Sequence, residues 1–142
     1  MTIRPTTPDD LPAISAIRAL SPEAGQWEPV GDCLTALMDG EVAGFLLTRQ
    51  TAPGEREILN MAVHPTWRRK GVAKELLGRV LNGTADEWFL EVRESNLAAQ
   101  NLYKSLGFSP VGRRENYYDH PRESGIVMRF FSWYCHGAVG RR

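Results

Sequence analysis

Cysteine is scarce in this chain. Cys33 and Cys135 are its two thiols, far apart in sequence and outside any metal-ligand spacing, which excludes a disulfide framework and a thiolate metal site. Neither position shows the partnered environment that a catalytic cysteine needs, so both read as free thiols. His64, His120 and His136 do not pair with carboxylates at helical spacing, and no metal is expected. A surplus of one charge is also missing, because 17 Lys and Arg balance 17 Asp and Glu. Without a global field there is no ground for direct nucleic-acid or membrane-surface binding, and any anion site must be built locally. Long apolar runs are absent. The opening MTIRPTTPDDLP carries Asp9 and Asp10 and lacks the apolar stretch of a secretory signal, and no later segment reads as a membrane-spanning helix. A cytoplasmic location is the expectation. Neither a GxxxxGK[ST] phosphate loop nor a GxGxxG dinucleotide fingerprint occurs.

What is present is an ordinary globular composition, 42% hydrophobic and 24% charged over 142 residues, enough for one independent core. No repeat or low-complexity linker interrupts it. A single domain over residues 1–131 is expected, followed by a tail, SWYCHGAVGRR (132–142), of unassigned role.

The hydrophobic pattern orders the elements. TIRPTTPDDLPAISAIRAL predicts a short strand and then a helix with Leu11, Ile14, Ile17 and Leu20 on one face. SPEAGQWEPVGD, rich in Pro and Gly, is a loop or irregular helix. CLTALMDGEVAGFLLTRQ is two strands joined at Asp39 and Gly40, a hairpin signal. TAPGER reads as a turn, and EREILNMAVHP as a strand stopped at His64 and Pro65. Val72, Leu76, Leu77 and Val80 then mark a helical face that ends at Asn82 and Gly83. EWFLEVR is a compact strand. SNLAAQNLYKSLGF is a helix capped by Ser95 or Asn96 and closed by Gly107, and FSPVGRRENYY and GIVMRFF are strands. The order βα, ββ, βα, βα, ββ is that of a mixed α/β protein.

The segment ILNMAVHPTWRRKGVAKELL carries the chemistry. A strand runs through basic residues and a glycine into a helix N-terminus, whose unpaired N–H groups and positive dipole end favour a phosphate. Gly71 allows close approach, and Arg68, Arg69, Lys70 and Lys74 add charge. A solvated basic helix face with an ordinary turn glycine is the rival reading of the same residues.

Arg68, Arg69, Lys70, Gly71, Val72 and Ala73 match the pattern [RQ]-x-x-G-x-[GA], and FLEVRESNLAAQNLYKSLGF follows at the right separation. On these two blocks, which cover Ile58 to Phe108, the chain resembles the GNAT N-acetyltransferases. With VGRRENYY added, it is similar to the bacterial ribosomal-protein-alanine N-acetyltransferases within them. The resemblance implies a central, mixed, mostly antiparallel twisted sheet of six to seven strands with about four flanking helices, splayed between the strands that end near Val63 and Val92. It implies acetyl-CoA as co-substrate, with the backbone of Met61, Ala62 and Val63 holding the acetyl carbonyl and pantetheine arm, and the pyrophosphate on the turn from Arg69 to Lys74. The acceptor it implies is a protein N-terminus, the alanine of a small-subunit ribosomal protein, and the assembly a monomer or weak dimer.

Acetyl transfer from a thioester needs a free amine, a stabilised oxyanion and a proton for the departing thiolate. The resemblance places the general base on Glu91 and the general acid on Tyr103, with Asn96 against the coenzyme and Arg113, Arg114, Tyr117 and Tyr118 bordering the acceptor. Each has a plainer rival: a solvated strand-end carboxylate, a core aromatic beside Leu102 and Leu106, a helix cap, an exposed hairpin. Ala73 stands where the pattern more often has glycine, and GQWEPV replaces an expected Pro-Trp segment. Glu115 and Glu123 would suit a cationic small molecule, so a small-molecule amine acetyltransferase is the alternative, with a non-catalytic coenzyme-binding module behind it.

Overall fold

A computed structural model describes residues 1–21, 31–119 and 122–131. The tail 132–142, most of the Pro- and Gly-rich segment before Asp32, Cys135, His120 and His136 lie outside the described residues. The elements are β1 (Thr2–Pro5), α1 (Leu11–Ala19), β2 (Asp32–Met38), β3 (Glu41–Ala52), β4 (Glu55–Val63), α2 (Val72–Leu81), β5 (Glu87–Arg93), α3 (Leu97–Ser105), β6 (Ser109–Tyr118) and β7 (Glu123–Phe131). This is the order the sequence predicts.

The strands form one seven-stranded sheet in the order β1-β2-β3-β4-β5-β7-β6. The pairs β1–β2, β2–β3, β5–β7 and β6–β7 are antiparallel, and β4–β5 is parallel from Glu55–Glu87 to Glu57–Phe89. The architecture is therefore α/β with a mixed, mostly antiparallel sheet. Three α-helices are present among the described residues, where the resemblance implies about four.

Two compact units divide the chain, one of Met1–Arg49 with Ile58–Asn82, the other of Gln50–Glu57 with Gly83–Arg142. In the first unit, Ile14 and Ile17 of α1 pack with Phe45 and Ala62, and Cys33 and Val42 close over them. Leu11 and Leu20, predicted on the same helix face, are instead exposed at 38% and 50%. Leu11 opens the helix and Leu20 lies beyond its last residue, so neither turn continues the buried stripe. The strands β2 and β3 meet in a two-residue turn in which Asp39 and Gly40 both have positive φ, 51° and 79°, the backbone that matches strand twist. The predicted turn TAPGER is shorter than expected, since β3 runs on to Ala52 and β4 resumes at Glu55.

Helix α2 buries Val72, Leu76, Leu77 and Leu81, each side chain contributing roughly 1.5–3 kcal/mol. Leu81 takes the buried place the periodicity gives to Val80, which is half-buried.

In the second unit, β5 alternates cleanly, with Trp88, Leu90 and Val92 buried, so Glu91 falls on the opposite face. Asn96 caps α3 by accepting from the Ala99 N–H at 3.2 Å. Inside α3, the buried Gln100 amide donates to the carbonyls of Arg93 and Glu94, pinning the helix start to the end of β5. Gly107 ends the helix with φ 107°, and a Cβ there would meet the Phe130 ring at 3.1 Å. Strand β6 lies at the sheet edge and is exposed through Tyr117.

Candidate active site

The basic turn begins where β4 stops. Pro65 cannot continue a ladder, so His64 leads into a single 3-10 turn, Pro65–Trp67, with His64 Nδ1 accepting from the Thr66 N–H at 3.1 Å. Arg68 then folds back. Its Nε donates to the Val63 carbonyl at 3.0 Å, and a second guanidinium nitrogen lies 3.2 Å from the buried Ser21 hydroxyl. Arg68 thus staples the turn to the end of β4, and it is exposed together with Arg69, Lys70 and Lys74. Arg69 has φ 62° and Gly71 φ 82°, so two left-handed residues bend the chain into α2. A Cβ on Gly71 would meet nothing within 4 Å. The glycine is needed for its backbone angle, and the space before it is open to a ligand.

The first i→i−4 bond of α2 is from Glu75 to Gly71. The N–H groups of Val72, Ala73 and Lys74 therefore precede the helical ladder and are the donors expected of an anion site. Upstream, Ala62 is buried while Met61 and Val63 are half-buried. Gly44 on β3, which sequence reading passes over, sets this strand: a Cβ there would lie 2.8 Å from the Ala62 carbonyl and 3.2 Å from Val72. No local pattern marks it, because the contact is between residues distant in sequence.

In the second unit the structure brings Glu91, Arg114, Tyr117 and Tyr118 together. Glu91 is 13% exposed at its side chain, with Oε1 3.4 Å from Arg114 Nε. Its Oε2 is shut from solvent and has no hydrogen-bond partner among the described residues. A Cβ on Gly125 of β7 would touch Tyr118 at 3.2 Å, Tyr117 at 3.3 Å and Glu91 Oε2 at 3.4 Å, so one glycine faces all three groups. The tyrosine rings meet edge to face with centroids 5.0 Å apart. Burial pushes the Glu91 carboxyl above its usual range, with Arg114 opposing and Glu57 of β4 adding to the rise. A carboxylate moved toward neutral pH is better suited to take a proton from an amine.

Tyr103 is 9% exposed and packs edge to face on Phe108, with ring centroids 5.7 Å apart. Burial pushes its phenol up to about 12, so it keeps its proton at neutral pH. It is a core aromatic by packing and a protonated donor by chemistry. Asn96 is a helix cap through Oδ1.

Arg113 lies beside Arg114 on β6 and faces two glutamates. It binds Glu94 through Nε and a terminal nitrogen, and Glu115 through the other, on the exposed side of β6. Glu115 is held by Arg113, and Glu123 by Arg93 and Ser95. The two glutamates that would suit a cationic small molecule are thus already paired. Among the described residues no group of three or more His, Cys, Asp or Glu is placed to hold a metal.

A mixed sheet with a strand–basic turn–helix unit is the architecture of a coenzyme-dependent acyl-transfer fold, and the family pattern agrees. The acetyltransferase (GNAT) family matches residues 6–108, and the chain belongs to that family. It is 40% identical over 90 residues to the [ribosomal protein bS18]-alanine N-acetyltransferase of Haemophilus ducreyi, covering 58% of this chain and 61% of that protein. Over 97 residues it is 40% identical to the protein of the same name from Escherichia coli (strain K12), covering 63% and 64%. The matched stretches thus span less than two thirds of these relatives. The crystal structure of the ribosomal-protein-S18-alanine N-acetyltransferase from Escherichia coli has a TM-score of 0.77 at 32% identity, over 92% of this chain and 94% of that one.

Proposed function

We propose that this chain transfers the acetyl group of acetyl-CoA to the N-terminal α-amine of a protein, the alanine of a small-subunit ribosomal protein. The observation that carries the reading is the Glu91 niche. A nearly buried carboxylate with one oxygen unpartnered among the described residues, walled by Tyr117 and Tyr118, suits an amine nitrogen better than a bulky cation. The similarity to relatives named for that substrate supports it.

The coenzyme fits the first unit. Its pyrophosphate has the N–H groups of Val72, Ala73 and Lys74, the open space before Gly71, and the charges of Arg69, Lys70 and Lys74. Met61, Ala62 and Val63 offer backbone groups to the acetyl end. In the reaction the amine nitrogen bonds to the acetyl carbon and the carbon–sulfur bond breaks. Glu91 accepts the proton the amine gives up, and Tyr103 supplies one to the sulfur. An α-amine, with a pKa of about 7.7–8.0, is partly free near neutral pH, so a modest base suffices.

Thiol release is the test. The purified protein is given acetyl-CoA with an Ala-starting ribosomal-protein peptide, its N-blocked form, free lysine or spermidine. Turnover on the unblocked peptide alone is expected. Turnover on lysine or spermidine, with the peptide inert, would replace this reading with the small-molecule one.

A further inference from the structure

Strand β6 loses its register against β7 after Arg114–Gly125 and regains it at Tyr118–Glu123, and Asn116 within the irregular stretch has φ 53°. Bulges of this kind re-aim side chains. On one side of this stretch Arg114 reaches Glu91 Oε1, and its guanidinium lies 5.4 Å from the centre of the Tyr117 ring. On the other, Tyr118 lies under Arg93 at 4.4 Å. Glu91 thus has one oxygen on Arg114 and one with no partner among the described residues.

We infer that Arg114 is a positioning residue: it aims the Glu91 carboxylate and holds it charged, rather than gripping the acceptor. The inference rests on Glu91 as the base. The groups that face Glu91 are Glu57 from β4, and Arg114, Tyr117 and Tyr118 from β6. From β7 come only Gly125 and, in register, Val127. Arg93, on Glu91's own strand, is committed to Glu123 and the Asp119 carbonyl. Arg114 is therefore the cation set against burial and the second carboxylate. Removing it takes away the cation that opposes burial and Glu57, so the Glu91 midpoint is expected to rise.

Carbon-detected NMR titration of the Glu91 carboxyl, assigned with Glu91→Gln, tests this without relying on turnover. In Arg114→Gln the midpoint is expected to rise by about 0.2–0.7 pH unit, the size suited to a partly exposed pair. Arg114→Lys should return it most of the way. The low-pH limb of kcat should move by the same amount, while KM for the peptide changes less than about twofold. A Glu91 midpoint unmoved in Arg114→Gln, or a raised peptide KM with an unmoved kcat limb, would overturn the inference. A midpoint that moves while the kcat limb stays still would overturn Glu91 as the base, and Arg114's part in the reaction with it.

Discussion

Replacing Asp10 by Asn should destabilise the protein near neutral pH and hardly at all in strong acid. The carboxylate is buried, 4% exposed, at the start of α1. It accepts from two nitrogens of Arg4 on β1, at 2.7 and 3.0 Å, from the Thr7 N–H at 2.9 Å and from the Thr35 hydroxyl of β2 at 3.3 Å. These bonds, led by those from Arg4, hold its pKa at about 2, against 3.8 for an ordinary aspartate. The difference, 3.8 − 2 = 1.8, corresponds to about 2.4 kcal/mol at 1.36 kcal/mol per unit. Arg4 is 36% exposed at its side chain, so solvent screening brings the figure to about 1–2 kcal/mol. Because the folded pKa is depressed, this stability is fully present above about pH 4 and is lost as pH falls through about 2. Urea unfolding of both proteins at about pH 7 and about pH 2 measures it. The wild type should lead by about 1–2 kcal/mol at the higher pH, with the lead nearly closed at the lower. A gap independent of pH would refute the ionic account of Asp10.

Three other outcomes are expected. Tyr103→Phe should lower kcat by about 10²-fold or more with acetyl-CoA affinity nearly unchanged, read by steady-state kinetics and calorimetry; an unchanged kcat removes Tyr103 as the acid. Glu91→Gln should lower kcat by about 10²–10⁴-fold near neutral pH, with part of the loss recovered at higher pH as the α-amine loses its proton to solvent; a kcat unchanged near neutral pH removes Glu91 as the base. Gly44→Ala should lower stability by about 1–3 kcal/mol, because its Cβ would sit 2.8 Å from the Ala62 carbonyl, and weaken acetyl-CoA binding as β4 shifts. Thermal unfolding and binding isotherms report the two effects.

The parts of the fold legible in the sequence are those fixed by neighbours along the chain. Asp39 and Gly40 announce their turn because few residue pairs accept two positive φ angles. The bounds of β5, the Asn96 cap and the Gly107 stop follow from alternation and cap chemistry. Leu11, Leu20 and Val80 misled the periodicity because a helical repeat says nothing of where the helix ends or how its face meets the sheet. The candidate site divides in the same way. A turn of basic residues and glycine before a helix can be read directly, and the motif resemblance points to Glu91 and Tyr103. The closing of Arg68 onto Val63 and Ser21, the meeting of Glu91 with Arg114, and the empty Cβ positions of Gly44 and Gly125 all join residues remote in sequence. Arg113 and Arg114 are adjacent and chemically identical, yet one serves the exposed glutamates and the other the candidate base, because they sit in regular register opposite Ile126 and Gly125 and alternation sends them to opposite faces of β6.

The central claim is acetylation of an α-amine, and a single peptide that begins with alanine and carries an internal lysine tests it most directly. After incubation with the protein and acetyl-CoA, fragmentation mass spectrometry locates the added group. The account predicts one acetyl on the N-terminal alanine and none on the lysine side chain; an acetyl on the lysine alone, or an unmodified peptide while a free small amine is acetylated, would contradict it.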